Sequence, residues 1–359
     1  MNGLNKIATP FQIGSLTLEN RLIQAPLAGI SCAPFRSLFS IYKDGVPAYA
    51  VTEMIPAQSL LQKSGRGFNK VVDMQMHKRY ITKSPDEGRW CVQLSGYDPE
   101  SLHRATLIAN TFQPDLIDLN CGCPKPKVRR RGAGSALIES LTGLGATVRA
   151  MRQATSLPLT VKIRVAGSTE PEPEPISSGG ADDCCWYLDA ASTIEDSGAD
   201  AVVVHGRHHS DNYDVPASYQ QIRKVVNRLN IPVIANGDVR DADSLATCVQ
   251  ATGAAAVMIG RGSIGRPWLF QELLRHCNNS TPPAASYKHP GLLEVVEVFR
   301  RHIMQLADLE ESQTRALLQA RRLLKWYFPR LSSHQLTVCF TCRNVDELCY
   351  QLLNSSHDS

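Results

Sequence analysis

Eight short apolar runs, at 22–27, 48–53, 90–94, 116–120, 159–163, 201–205, 232–236 and 256–260, constrain the fold of this chain more than any other feature. Segments of helical character separate them. The runs are continuously apolar rather than alternating, as strands buried on both faces are. Eight such units within a stretch of the usual size, roughly 250 residues, predict an α/β chain folded as a TIM (β/α)8 barrel. A doubly wound sheet has no need of eight evenly spaced strands. Ahead of the first run, Phe11-Gln12-Ile13-Gly14-Ser15-Leu16-Thr17-Leu18 alternates around a Gly-Ser turn, which predicts a hairpin closing the barrel's N-terminal end.

The 359 residues suffice for one barrel with a small appendage. The expected division is a barrel over 1–280, with an N-terminal extension and hairpin over 1–20, a linker over 281–290, and a small all-α helical domain over 291–359. Within the barrel, 166–183 carries Glu170-Pro171-Glu172-Pro173-Glu174-Pro175 and then Ser-Ser-Gly-Gly, the composition of an extended, solvated loop. With 43% hydrophobic and 20% charged residues the composition is that of a globular protein. No apolar stretch approaches a bilayer span and Met1 to Lys6 holds no signal-peptide core, so a cytoplasmic protein without membrane contact is expected. The 11 cysteines are scattered and odd in number, which argues for reduced thiols rather than a disulfide framework. Cys339-Phe340-Thr341-Cys342 has half of a zinc-knuckle spacing with no second pair nearby, and no metal is expected.

Ligands of such barrels bind where the strands end, with phosphates on the loops after the seventh and eighth strands. Here those loops are Asn236-Gly237-Asp238 and Gly260-Arg261-Gly262-Ser263-Ile264-Gly265-Arg266. Glycines let backbone amides approach a phosphate, and a guanidinium grips one with paired hydrogen bonds. Other strands end in polar groups that pure packing would not choose: Glu53, Gln93, Asn120, Lys162 and His205. Singly, a buried His or Gln is usually a satisfied core group. Recurring at successive strand ends, they would ring a planar polar ligand with a phosphate tail.

The fourth run leads into Asn120-Cys121-Gly122-Cys123-Pro124, so a thiol sits at a strand end, where it can donate a proton. Five cations follow within seven residues, Lys125, Lys127, Arg129, Arg130 and Arg131. A charge run alone usually means a solvated face. Beside a candidate acid, and with the net charge only +4, this local cluster points to a polyanionic substrate. A second basic face is expected on a helix within 313–330, where Arg315, Arg321, Arg322, Lys325 and Trp326 share one side. Ala316, Leu317, Ala320, Leu323, Leu324, Tyr327 and Phe328 take the other, with Leu318 the misfit. Such a face suits phosphate contact and base stacking.

These motifs resemble those of the bacterial tRNA-dihydrouridine synthases, the B-type branch above all. The resemblance runs from Asn20-Arg21-Leu22-Ile23-Gln24-Ala25-Pro26-Leu27-Ala28-Gly29-Ile30, through the Asn-x-Gly-Cys-Pro block, to Gly260-Arg261, Gly265-Arg266-Pro267-Trp268-Leu269-Phe270 and the Arg-Arg-Leu-Leu-Lys-Trp-Tyr segment of the tail. It implies a barrel holding FMN and a helical domain binding tRNA. Pro26, Leu27 and Ala28 should contact the flavin, Gln93 and Lys162 its ring system, and His205 the flavin or its phosphate. Asn236, Gly237, Asp238, Gly260 and Arg261 should hold the ribityl phosphate. RNA contacts are expected from Asn120, Lys125, Lys127, Arg129, Arg130, Arg131, Arg315, Arg322 and Lys325. The implied reaction reduces the C5=C6 bond of uridines in the D-loop of tRNA: NADPH reduces FMN, hydride passes from N5 to C6, and Cys123 protonates C5. A monomer is expected. Two positions depart from the family's habit, Ser31-Cys32-Ala33-Pro34 before Phe35-Arg36, and His208 after His-Gly-Arg. The competing readings are an FMN-dependent barrel reductase of a small molecule, which has no use for two basic clusters, and a non-catalytic tRNA-binding protein.

Overall fold

The computed structural model describes residues 3–61, 74–165, 186–278 and 289–354. The Glu-Pro loop at 166–183 and most of the expected linker at 281–290 lie outside the described residues.

Strands β1 (Phe11–Ile13) and β2 (Leu16–Leu18) form the antiparallel hairpin. The barrel strands follow as β3 (Leu22–Gln24), β4 (Ala50–Val51), β5 (Ile55–Pro56), β6 (Trp90–Ser95), β7 (Leu116–Cys121), β8 (Leu159–Arg164), β9 (Ala201–His205), β10 (Val233–Asn236) and β11 (Ala256–Ile259). All their pairings are parallel, in the order β4-β3-β11-β10-β9-β8-β7-β6-β5, and a β4–β6 pairing closes the ring. β4 and β5 are two pieces of one staggered second strand, so the barrel is eight-stranded as its spacing predicted. The first run is shorter than expected. Its ladder ends at Ala25, whose N–H donates to Ile259 O (2.9 Å), because Pro26 has no N–H to offer.

Two apolar layers hold the barrel. Inside it, Leu116, Ala201 and Ala256, each the first residue of its strand, pack with Ile23, Val203, Ile234 and Met258, and the hairpin adds Phe11, Ile13 and Leu18. The hairpin therefore closes the N-terminal end. Outside, Ile117, Leu119, Cys121, Val161 and Ile163 meet helical Leu102, Ala105, Leu144 and Val148. Alternation along β7 and β8 thus turns Ile117, Leu119 and Cys121 outward. Asp118, Asn120, Thr160, Lys162 and Arg164 have the opposite parity and face the barrel axis.

Among the described residues, the C-terminal region is four helices, Leu292–Glu310, Gln313–Tyr327, Ser333–Thr341 and Val345–Asn354. In the second, Ala316, Leu317, Ala320, Leu323, Leu324 and Tyr327 are buried, as expected, while Leu318 is 53% exposed. Arg315, Arg322, Lys325 and Trp326 are exposed. Arg321 does not join them. Its Nη2 donates to Cys342 O (3.1 Å), so its charge ties two helices together instead of facing solvent. Cys339 and Cys342 are buried among these helices.

The helical region docks on the first segment of the barrel. The Phe35 ring lies 5.9 Å from that of His302, whose Nδ1 is 3.0 Å from the Tyr327 hydroxyl. Ser37 Oγ donates to Gln305 Oε1 (3.1 Å). After β11, Gly265 (φ +72°) runs so close to the second helix that a Cβ there would lie 2.4 Å from Trp326 O. Only glycine combines that φ with that approach.

Candidate active site

The turn after β7 is braced on every side. Asn120 Oδ1 accepts from the N–H groups of Gly122 (3.2 Å) and Cys123 (2.9 Å). Arg164 Nε donates to Gly122 O (2.7 Å), and Cys123 O accepts from both the N–H and the Oγ of Ser135 (3.1 Å each). Gly134 (φ +63°) fits beneath: a Cβ there would lie 2.8 Å from Cys123 O and 3.1 Å from Cys123 Cβ. All of these bonds to Cys123 are made to its backbone. Cys123 lines the cavity above the strand ends, while Cys121, two residues earlier, is sealed in the outer core.

That cavity, of about 1030 Å³, is lined by every residue expected to hold the cofactor: Pro26, Leu27, Ala28, Gln93, Lys162, His205, Asn236, Gly237, Asp238, Gly260 and Arg261. Cys123, Asn120, Lys125 and Lys325 line it too. Lys162 Nζ donates to Asn236 Oδ1 (3.0 Å), and Asn236 Nδ2 donates to Met258 O (2.8 Å). Burial, aided by Arg164 and opposed by Asp118, brings the Lys162 ammonium down to about 7. Burial also pushes the Asp118 carboxyl up to about 6, although Thr160, Gln93 and Lys162 pull it down. His205 is held well below its ordinary value by burial and by the cations Lys162, Arg164, Arg207 and Arg261, so it is neutral at pH 7.

The end of the cavity bounded by β9, β10 and β11 is cationic. Arg207, only 2% exposed, makes two 2.7 Å bonds to the Asp238 carboxylate, which also pairs with Arg261 at 3.3 Å. The Arg261 guanidinium lies 4.0 Å from the centroid of the Tyr213 ring. Asp238 therefore aims two guanidinium groups. Arg207 Nη1 is buried with no hydrogen-bond partner. A buried guanidinium N–H without an acceptor is costly, and an anionic group entering here would satisfy it. The donor set fits a phosphate at this end and a planar, acceptor-rich ring at the Lys162 and Gln93 end.

A second cavity, of about 1110 Å³, shares Ala28, Met54 and Lys125 with the first and runs out between the barrel and the helical region. Lys127, Arg131, Arg315 and Arg322 line it, with Tyr97, which is 52% exposed. Both basic clusters named from the sequence thus meet in one cleft. Two members of the first cluster, Arg129 and Arg130, line neither cavity. Arg129 donates to Glu139 Oε1 (2.8 Å) and Ser135 Oγ (2.9 Å), so it props the thiol turn and is no free phosphate contact. Asn120 is committed to the turn and to Gln93, so its first task is positioning. Glu53 Oε2 accepts from Gly29 N (2.5 Å) and Oε1 from Arg79 Nε (2.8 Å); Arg79 also pairs with Glu310, linking barrel and helices. Among the described residues, no cluster of three or more His, Cys, Asp or Glu could hold a metal ion.

The model of the family described as Dihydrouridine synthase (Dus) matches residues 23–347. The chain belongs to this family. It is 32% identical to the tRNA-dihydrouridine synthase B of Shewanella oneidensis over 332 residues, 92% of each chain. With that of Vibrio vulnificus the identity is 31%, over 95% of this chain and 96% of the other. A probable tRNA-dihydrouridine synthase of Mycobacterium tuberculosis is 33% identical, over 94% and 82%. Solved structures share the fold at low identity. Histamine dehydrogenase from Rhizobium sp. 4-9 superposes with a TM-score of 0.53 at 13% identity, covering 84% of this chain and 51% of that one. Morphinone reductase does so with a TM-score of 0.51 at 14% identity, covering 76% and 91%.

For a member of this family, sequence reasoning missed Asp118, Arg164 and Arg207 in the site. The first two carried a readable signal. Asp118 is two residues before Asn120, and Arg164 two after Lys162, so strand alternation puts them on the same inward face. Arg207 lies past the end of β9, where no periodicity applies; in the sequence it stands only as part of the His-Gly-Arg run, and its burial against Asp238 is what gives it a part in the site.

Proposed function

We propose that the protein is a tRNA-dihydrouridine synthase that binds FMN in the cavity at the strand ends and takes its electrons from NADPH. The observation that carries this reading is the presence of Cys123, Lys162 and the cationic loops after β10 and β11 on the wall of one cavity. Bound FMN, once reduced, supplies the hydride that adds to C6 of the uracil. Cys123 then gives its proton to C5 from the turn that Asn120, Arg164 and Ser135 hold in place. Lys162 offers its remaining N–H groups to the acceptor edge of the isoalloxazine ring. Arg207 and Arg261 hold the phosphate, steered by Asp238.

A uridine stacked in RNA cannot reach a ligand at the barrel mouth, so it must leave its stack. The adjoining cleft supports RNA over a small substrate. Lys127, Arg131, Arg315 and Arg322 supply phosphate contacts there, and Tyr97 an aromatic face. The test is direct. The purified chain should carry flavin and form dihydrouridine in unmodified tRNA when given NADPH; a colourless protein inert toward tRNA would refute the proposal.

Proton linkage gives a second expected result. The Lys162 amine loses its proton near pH 7 when no ligand is bound. A flavin edge that accepts a hydrogen bond favours the charged ammonium and raises that value in the complex. Binding therefore takes up a proton above pH 7, and FMN affinity falls as pH rises. Above pH 7 the Kd should increase by up to about tenfold per pH unit, read by flavin fluorescence on apoprotein at pH 7, 8 and 9. Lys162→Met should bind more weakly at pH 7 and lose this slope. An unchanged slope in that variant would assign the effect to another group.

A further inference from the structure

We propose that Asp118 is a positioning residue that fixes the orientation of two side-chain amides in series, Gln93 and Asn120, and through them the N–H groups of Gly122 and Cys123. The series is continuous. Gln93 Nε2 donates to Asp118 Oδ2 (2.7 Å), Asn120 Nδ2 donates to Gln93 Oε1 (2.9 Å), and Asn120 Oδ1 accepts from Gly122 N and Cys123 N. Thr160 Oγ1 donates to the other Asp118 oxygen (2.5 Å).

An amide flipped end for end occupies nearly the same space, so shape alone does not choose its orientation. The two ends of this series do. A carboxylate only accepts, and a backbone N–H only donates. Asp118 therefore demands a donor from Gln93, which turns Oε1 toward Asn120. That oxygen demands a donor from Asn120, which turns Oδ1 toward the turn. If Gln93 were reversed, Asn120 would reverse with it and face the Gly122 and Cys123 N–H groups with Nδ2, losing both bonds. Asp118 is 3% exposed, Gln93 is fully buried and Asn120 is 8% exposed, so water does not offer a ready substitute partner.

This deepens the proposed function, because its catalytic consequence rests on Cys123 as the proton donor; the geometric claim does not. Three variants of the full chain test it, read by amide hydrogen exchange at Gly122 and Cys123. Asp118→Leu removes the acceptor, and exchange at those two amides should rise by about tenfold or more while β9 amides stay unchanged. Asp118→Asn can keep an oxygen toward Gln93 and turn its NH2 to Thr160 Oγ1, so exchange should stay close to that of the unaltered protein. The double variant Gln93→Glu/Asp118→Leu should restore slow exchange, since a glutamate has an oxygen at each end and needs no orienting. Should Asp118→Leu not accumulate as folded protein, Asp118→Ser replaces it, its hydroxyl being one bond too short to reach Gln93. In turnover, Asp118→Leu should lower kcat for dihydrouridine by about tenfold with KM for tRNA nearly unchanged. Unchanged exchange at Gly122 and Cys123 in Asp118→Leu, equal acceleration in Asp118→Asn, or no rescue by the double variant would overturn the proposal. If the unaltered protein forms no dihydrouridine, the proposed function fails while the exchange results still decide this claim.

Discussion

Cys123→Ala is expected to keep its flavin and its NADPH oxidation yet to form dihydrouridine about 10²- to 10⁴-fold more slowly, the usual worth of a positioned general acid. The flavin should stay because nothing braces the turn through the thiol. Gly122 and Cys123 are held by Asn120, Arg164 and Ser135 through backbone atoms alone. The slow step should be the second half of the reaction. In anaerobic stopped flow, reduced flavin in the variant should persist after tRNA is added, whereas in the unaltered protein it should reoxidise. Product formation at the unaltered rate would remove Cys123 from the mechanism.

The barrel was legible because burial on both faces gives its strands a continuous apolar signal, and all eight runs lie on barrel strands. The second strand is the instructive exception. The run at 48–53 pairs only over Ala50–Val51, and a separate short strand follows at Ile55–Pro56. Between them the chain turns to bring Glu53 to Gly29 and Arg79, a tertiary demand that no local pattern records. The site was legible for a related reason. Polar residues such as Gln93 and Lys162 stand out inside apolar runs, and the glycines mark the loops after β10 and β11 that line the cavity. What stayed hidden was division of labour among like charges. Arg129 and Arg131 look equivalent in sequence, yet the first is spent on Glu139 and Ser135 while the second lines the cleft. Arg321 and Arg322 separate in the same way, because one residue of helical rotation moves a side chain from the solvent face to a neighbouring helix.

The second large effect is on stability. Arg36 and Glu87 form an ion pair with side-chain exposures of 0% and 1%. Arg36 Nε donates to Glu87 Oε1 (2.5 Å), and its remaining N–H groups reach Glu87 Oε2, Ser31 O and Thr82 O. The guanidinium also lies 5.5 Å from the centroid of the Trp90 ring. Glu87→Ala leaves that cation buried with only neutral carbonyls for partners. The expected cost is about 3–5 kcal/mol, a large share of what a domain has to lose. It should appear as a lower denaturant midpoint at unchanged slope. Replacing both residues with apolar side chains of similar volume should cost far less, because no charge is then stranded. If Glu87→Ala and the double replacement lose the same stability, packing rather than the pair holds this corner together. Ser31, one of the acceptors, follows the Pro26-Leu27-Ala28 segment on the cavity wall, so Glu87→Ala is also expected to loosen flavin binding.

Solving the structure of the flavin-loaded protein tests the central claim most directly. The account predicts a phosphate within hydrogen-bond distance of Arg207 or Arg261 and the loops after β10 and β11, an isoalloxazine ring against Lys162, and the Cys123 sulfur over the ring's open face. A flavin bound elsewhere, or that sulfur turned away from the ring, would contradict it.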